Sequence, residues 1–518
     1  MAWGDVYLLA FDFGTESVRG ALFDERGTIR CSASHPYRTL FPKPGWAEQV
    51  PAEWWTSFLR VVRALLDGSG VDPARISALC VDSTSCTVVA LDGSFHPLRN
   101  ALLWMDVRAF KQAERVAACG SDALRYNGFG SVSAEWMPPK ALWLKENERE
   151  TYERARYICE LQDYIGYRLT GEYVGSINNV SIRWYYNSRH GGWPRSLYDA
   201  VGLDDVIDKF PKNILKLGEP IGTLHPRTAE ETGLSKSTVV IQGGADAFLG
   251  VLGLGVVKPG SFALITGSSH VMLGNSEKEI HKKGIFGAYP DAIVEGLFTV
   301  EGAQISTGSI LKWFKEHFIC REYERKAEET GLDLYGYMNS LAKKIKIGSE
   351  GLIVLDYWQG NRNPLTDSEA RGAVWGLSLN HTPVHLYRAI MEGISYGTEH
   401  IMRHFREAGL EPKEIYACGG ATHSDLWMQI HSDVLGLPIF LTEEPNAPLL
   451  GDAVVASYGA GVYRSIEDAA ANMVRVRSKI EPDMGRSEAY RFYVNKYLET
   501  YPRLRDLMHG MLYHETDS

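Results

Sequence analysis

Two distant segments of the chain share one pattern, and that pattern limits the folds open to it. Val6-Tyr7-Leu8-Leu9-Ala10-Phe11 is a short apolar run ending in Asp12-Phe13-Gly14-Thr15-Glu16-Ser17; an apolar strand resumes from Gly20 to Phe23 before a turn at Glu25-Arg26-Gly27. Far downstream, Ser261-Phe262-Ala263-Leu264-Ile265, then Thr266-Gly267-Ser268-Ser269, then His270-Val271-Met272-Leu273 repeats strand, polar glycine turn, strand. Two related halves follow from the repetition. Length agrees, because 518 residues exceed one ordinary core and imply two domains, or three if one is small, with a cleft between lobes.

Helical periodicity over 51–66 and 139–147 and an apolar strand over 76–81 separate the hairpins, so strands and helices mix as in α/β lobes. After the second hairpin, 384–404 and 424–435 are helical, 414–418 is a strand leading into Gly419-Gly420, and 486–508 forms a terminal helix. The main boundary falls near residue 255, in the glycine-rich stretch 249–260, giving units 1–255, 256–480 and a helical extension 481–518.

Charge and cysteine usage exclude several classes. A net charge of -10, with acids and bases interspersed, gives no field for nucleic acid, and a strongly anionic substrate would need local cations or metal. The seven cysteines form no Cys-x-x-Cys pair and are odd in number, fitting neither a disulfide framework nor a zinc site. No run approaches a membrane span, and Met1-Ala2-Trp3-Gly4-Asp5 enters the first strand without the basic and apolar regions of a secretory signal, so a cytoplasmic protein with no membrane partner is expected.

Four segments have compositions suited to chemistry. Asp12 to Arg19 combines a glycine that lets amides approach phosphate oxygens, hydroxyls that donate to them, and a strand-end carboxylate able to hold Mg²⁺ through water; an ordinary hairpin would use the same residues for turn geometry. Val239-Val240-Ile241-Gln242-Gly243-Gly244-Ala245-Asp246 is a strand, two glycines and a carboxylate at a helix start, which is a cleft-facing acid or a helix N-cap. Thr266-Gly267-Ser268-Ser269 could grip a phosphate from the opposite lobe or be a tight turn, and Cys418-Gly419-Gly420-Ala421 would let a flat ligand lie on bare backbone or be a plain turn. Walker, protein-kinase and H-E-x-x-H motifs are absent; His400 and His404 stand at helical spacing without the metalloprotease Glu and read as surface or packing residues.

In this order and at these distances, the segments resemble the FGGY carbohydrate kinases of the actin-like ATPase superfamily. The most specific element is Gly372-Ala373-Val374-Trp375-Gly376-Leu377 followed by His385-Leu386-Tyr387-Arg388-Ala389-Ile390-Met391-Glu392, similar throughout to the family's C-terminal signature. The resemblance implies an α/β fold of two RNase-H-like domains with an interdomain cleft, the first binding sugar and the first phosphate segment, the second binding nucleotide. It implies ATP and Mg²⁺ as cofactors and a small sugar as the other partner. It places Asp12, Gly14, Thr15 and Arg19 on the first phosphate segment, Gly267 and Ser268 on the second, and Gly419, Gly420 and Ala421 on the adenosine motif. Gly308 and Lys312 would flank the nucleotide, with Lys312 standing where the family often has Gln. Asp246 falls on the general base, and Asp12 (through water) and Asp246 are the metal carboxylates.

On the sugar side, Asp82-Ser83-Thr84-Ser85-Cys86-Thr87 matches neither the Arg-Glu of glycerol kinases nor the Met-His of xylulokinases, and looks like ribulokinase-type members. Trp104-Met105-Asp106-Val107-Arg108 matches the family's Trp-x-Asp-x-Arg element; Glu135 and Lys140, and the segment Trp358-Gln359-Gly360-Asn361-Arg362-Asn363-Pro364, are also similar to ribulokinase-like sequences. Ser85, Trp104, Asp106, Arg108, Glu135, Lys140 and Asp246 are therefore the expected substrate residues, and ribulose the leading acceptor, with xylulose, a tetritol or a glycerol-like polyol as alternatives. A sugar-binding regulator that has lost catalysis would keep the lobes, but retention of Asp12 and Asp246 argues against it. Oligomeric state is left open, a homodimer included.

Overall fold

A computed structural model describes residues 6–130 and 132–516. Met1-Ala2-Trp3-Gly4-Asp5, read above as lacking a signal, lie outside the described residues.

The first sheet is built from β1 (Tyr7–Phe13), β2 (Ser17–Asp24), β3 (Ile29–Pro36), β4 (Ile76–Ser83), β5 (Pro220–Thr223) and β6 (Val239–Ile241), in the order β5-β6-β4-β1-β2-β3. The second contains β7 (Ser261–Thr266), β8 (His270–Ser276), β9 (Phe286–Pro290), β10 (Phe298–Gln304), β11 (Glu414–Gly419), β12 (Ile439–Thr442) and β13 (Val476–Ile480), in the order β9-β10-β8-β7-β11-β12-β13. Each has the same plan. The opening strand pairs antiparallel with its hairpin partner on one side and parallel with a later strand on the other: β1 with β2 and β4, β7 with β8 and β11. Parallel pairing requires long crossovers, and helices fill them.

Six helices matter for the site: α1 (Pro51–Ser69), α2 (Asp246–Gly253), α3 (Gly308–Phe318), α4 (Pro383–Glu407), α5 (Ala447–Gly459) and α6 (Met484–Thr516). Helix α1 starts on a proline at its first position and buries Trp54, Phe58, Val61 and Leu65, one stripe at helical spacing, with Phe58 against Phe11 and Phe13 of β1. Helix α4 begins with a capping box in which Thr382 and His385 satisfy each other's exposed backbone amides. Its Ile401 packs onto β10 at Gly302, where an added Cβ would lie 2.5 Å from the isoleucine. Just before α4, Gly376 has φ +94, and a Cβ there would come 2.1 Å from the Gly351 carbonyl, which accounts for one glycine of the C-terminal signature.

Helix α5 follows the second sheet's β12 in the chain but packs against β1 and β4 of the first sheet and crosses α2. Helix α6 lies on the second lobe and buries Tyr490, Val494, Tyr497 and Tyr501 in that lobe's core. Among the described residues no helix is long and apolar enough to cross a membrane.

Candidate active site between the two sheets

Parallel pairing brings the chemistry together. Asp12, at the end of β1, sits opposite Asp82 of β4 in register and opposite Arg19 across the hairpin. The Arg19 guanidinium donates to Asp12 Oδ2, while Asp12 Oδ1 is buried with no protein partner. Burial pushes the Asp12 carboxyl up and Arg19 partly offsets it. Asp82 is wholly buried with both oxygens unpartnered, and burial, with the neighbouring Asp452 and Asp12 charges, holds its pKa well above the usual carboxylate range. Asp452 reaches this cluster from α5, its Oδ1 accepting from Cys80 Sγ at 3.3 Å.

Asp246 is the first residue of α2 and not its N-cap: Ala245 holds that position, its amide donating to Asn178 Oδ1 at 2.9 Å. The carboxylate is therefore left to the cavity, with one oxygen taking the Ala247 amide at 2.7 Å. Burial raises its pKa to about 7, the Asp12 charge adds to the rise, and the Ala247 amide and Arg19 oppose it.

The phosphate turns are fixed by their own backbones. Gly14 N–H donates to Ser17 O at 3.1 Å, and Tyr37 Oη donates to the Gly14 carbonyl. In the second lobe Gly267 N–H donates to Ser269 O at 2.9 Å, and Ser268 O accepts from Thr307 N–H at 2.9 Å. Gly308, at the start of α3, lies so close to this turn that a Cβ would be 2.4 Å from Gly267 O. The third and fourth segments meet because Thr266 pairs with Gly419: Thr266 Oγ1 donates to Cys418 O at 2.7 Å and accepts from Ala421 N–H at 3.1 Å. Gly419 has φ +90, and a Cβ there would stand 1.8 Å from Thr266 O, so only glycine fits. Gly420 follows it with open space where a side chain would be. Lys312 lies on α3 with a 72% exposed side chain, its Nζ 3.8 Å from Glu316.

A cavity of about 250 Å³ adjoins these turns and draws walls from both lobes. Ser85, Trp104, Glu135 and Asp246 line it, with Thr15 and Ser269 beside them. Trp104 is tied to the first phosphate turn, its Nε1 donating to Thr15 Oγ1 at 3.0 Å.

Asp106, Arg108 and Lys140, expected to touch sugar, stand behind the wall instead. Asp106 accepts from Ala47 N–H at 2.6 Å and from Arg108 Nη2 at 2.7 Å; Arg108 also binds Glu48 at 2.8 Å and lies between the rings of Trp46 and Trp143. Lys140 Nζ donates to the carbonyls of Cys86 at 2.8 Å, Leu103 at 2.7 Å and Trp104 at 3.3 Å, and burial lowers its pKa to about 8. Lys140 thus braces the Cys86, Leu103 and Trp104 backbones and Asp106 the Ala47 amide, Arg108 is tied to Asp106 and Glu48 with its Nη1 left buried and unpartnered among the described residues, and none of the three lines the cavity.

Three further wall residues stand outside the expected substrate set, Arg362 among them although its segment 358–364 was singled out on the sugar side. Arg183, at the end of the helix Ile177–Arg183, donates to both Glu301 oxygens at 2.9 Å, joining the first lobe to β10 of the second. Arg362 lies 4.0 Å from the same carboxylate. For Arg183 and Glu301 the available signal was a charged residue inside the strand-like run Phe298-Thr299-Val300-Glu301, since an acid in a buried strand must find a partner.

The N-terminal domain model of the FGGY family of carbohydrate kinases matches residues 7–253, and its C-terminal domain model matches residues 262–460. The chain is 33% identical over 531 residues to an FGGY carbohydrate kinase domain-containing protein of Xenopus laevis, covering 95% of each. It is 30% identical to a ribulokinase of Anoxybacillus flavithermus, covering 92% of this chain and 90% of that one. A solved xylulose kinase from Rhodospirillum rubrum superposes with a TM-score of 0.85 at 27% identity, over 97% of this chain and 100% of that one.

Proposed function

The chain belongs to the FGGY family of carbohydrate kinases, and from that premise we propose that it moves the terminal phosphoryl group of ATP to a hydroxyl of a ketopentose such as ribulose, with Asp246 as the base. The observation that carries this reading is the placement of Asp246: a carboxylate that is not a cap, opens into the cavity between the lobes, and neighbours Asp12. Phosphoryl transfer asks for alignment and charge neutralisation more than covalent chemistry, so an aligned hydroxyl, a proton acceptor and phosphate donors suffice. Asp246 accepts the acceptor hydroxyl's proton late in transfer; with a pKa near 7 it is a better base than an ordinary carboxylate and still largely ionised just above neutrality.

The turns at Gly14-Thr15 in one lobe and Gly267-Ser268 in the other, each closed by its own glycine amide, present the Thr15 and Ser268 amides and hydroxyls to the phosphates, while Gly419, Gly420 and Ala421 offer bare backbone to adenosine and Gly308 backs the second turn. Arg19 holds Asp12 in place. The orphaned, buried Asp12 Oδ1 is suited to a hydrated cation, so Asp12, through water, and Asp246 are the residues that would hold Mg²⁺. When bound, Mg²⁺ supplies charge neutralisation on the phosphate oxygens. Cytoplasmic placement is part of the same proposal, supported by seven cysteines that are all unpaired.

The test is a coupled assay of ATP consumption over ketopentoses, polyols and ketohexoses, followed by locating the phosphate on the product. Ribulose should give the highest kcat/KM; the likeness to a solved xylulose kinase makes xylulose the second entrant. Asp246→Asn should retain the fold and bind sugar while turnover drops by about three orders of magnitude or more. Near-normal rates in that variant would remove Asp246 from the base role.

A further inference from the structure

The sugar end of the cavity contains a strong hydrogen-bond donor with no hydrogen-bond partner among the described residues. Arg362 lines the cavity with its side chain 32% exposed. Its neighbours are Glu301, at 4.0 Å and so beyond hydrogen-bond distance, and the Phe286 ring, 5.4 Å from the guanidinium carbon. Arg183 differs: its donors are taken by both Glu301 oxygens, Tyr289 Oη and the Ile182 carbonyl.

The backbone on either side of Arg362 is fixed. Asn361 exchanges backbone hydrogen bonds with Asp367, and its Oδ1 accepts from Leu365 N–H at 2.9 Å. Asn363 is 1% exposed; its Oδ1 accepts from Ala303 N–H at 2.8 Å and its Nδ2 donates to Gly284 O at 2.9 Å. Asp367 is held from outside by Tyr501 and His509 of α6. The loop therefore presents Arg362 from a rigid support, and a guanidinium already in position loses little further freedom on binding.

Position within the cavity says which part of a ligand it meets. Ala245 bridges to Ser83, which stands in register with Phe13, so Asp246 follows directly beside the Asp12 hairpin, whereas Arg183 and Arg362 both lie at Glu301 of β10. Asp246 thus belongs to the phosphate end, and the Arg183–Glu301–Arg362 group to the other. We propose that Arg362, supplied by the second lobe, is a specificity-determining residue that donates to an oxygen of the acceptor sugar at the end remote from the reacting hydroxyl. This rests on the sugar-kinase reading above. It gives the second lobe a direct part in choosing the sugar: an acceptor long enough to span from Asp246 to Arg362 touches both lobes at once, and a shorter polyol such as glycerol does not.

The experiment uses the full chain with ribulose, xylulose and glycerol, measuring sugar binding by calorimetry and turnover by the coupled assay. Arg362→Ala should weaken binding of the preferred ketopentose and raise its KM about tenfold or more, with the KM for ATP and the urea midpoint near wild type. Arg362→Lys should recover part of the loss, because it restores a charge without the planar fork. Glycerol binding should not respond to either substitution. A ketopentose affinity in Arg362→Ala within twofold of wild type, or an equal loss for glycerol, overturns the proposal. Sugar binding by wild type without turnover would overturn the phosphorylation reading and leave the Arg362 comparison decisive through calorimetry. Absence of sugar binding by wild type overturns both.

Discussion

At the scale of single residues, the proposed mechanism turns on the protonation of Asp246. Its pKa of about 7 in the folded chain, against roughly 3.9 for an unperturbed aspartate, has two consequences with opposite pH trends. In the proposed mechanism Asp246 must be ionised to act as the base, so kcat/KM should climb through pH ~7 and flatten above it, and Glu in place of Asp246 should shift or blunt that limb. For stability the raised value means that the folded state favours the protonated acid. Its contribution is complete below the unfolded pKa and is lost as pH rises through about 7, so Asp246→Asn should melt higher than wild type at pH 8 and lose that advantage on acidification below 7. Thermal scans across that range check the sign; an advantage that grows on acidification would mean the carboxylate is not strained by burial. Asp246, Asp12 and the glycine turns were legible in the sequence because each follows a strand and has a composition with few other uses. The Arg183–Glu301 pair was not, since no spacing links residues that only the closure of two lobes brings together, and Arg362 was legible only as one member of the segment 358–364. Asp106, Arg108 and Lys140 were legible as charges the fold needs, but only their burial shows that Asp106 and Lys140 hold backbone groups while Arg108 is paired with Asp106 and Glu48.

At the scale of elements, α2 and α5 cross with their backbones in contact. A Cβ on Gly253 would lie 1.9 Å from the Ala447 carbonyl oxygen, and one on Gly451 would lie 1.9 Å from that of Leu249. Backbone cannot yield as a flexible side chain can, so either alanine forces the helices apart. Since α2 begins at Asp246 and α5 carries Asp452 into the acid cluster, the shift is transmitted to the site. Gly451→Ala should cost about 3 kcal/mol in urea denaturation and reduce turnover with it. Gly510→Ala on exposed α6, with open space around it, should be neutral or slightly stabilising. An unchanged midpoint for Gly451→Ala would show that the crossing is loose. The hairpins and most helices of both lobes could be read from periodicity, yet α5's partner could not. Its sequence follows the second sheet's strands, but it covers the first sheet, a choice made by packing between residues hundreds of positions apart, such as Cys80 with Asp452.

At the scale of the molecule, ion pairs join the two lobes with one polarity. Arg125, Arg183, Arg189 and Lys216 lie in the first half of the chain, and their partners Glu279, Glu301, Asp291 and Glu295 lie in the second. Most are exposed enough to be screened by salt and contribute little individually. Arg183–Glu301 is the exception, with the two side chains 11% and 3% exposed and the geometry bidentate. Replacing only one partner strands a charge in a place where water cannot easily compensate, whereas replacing both removes the problem. Arg183→Met should therefore lose about 3 kcal/mol, toward the low end for a broken buried pair because Arg362 is close enough to turn onto Glu301; the double variant Arg183→Met with Glu301→Leu should recover to within roughly 1 kcal/mol of wild type. Recovery of stability should not bring recovery of function, since the double variant replaces a polar cavity wall with an apolar one and the KM for its sugar should stay high. Denaturation and steady-state kinetics on the same preparations separate the two effects, and a double variant as unstable as the single would assign the loss to packing instead of charge.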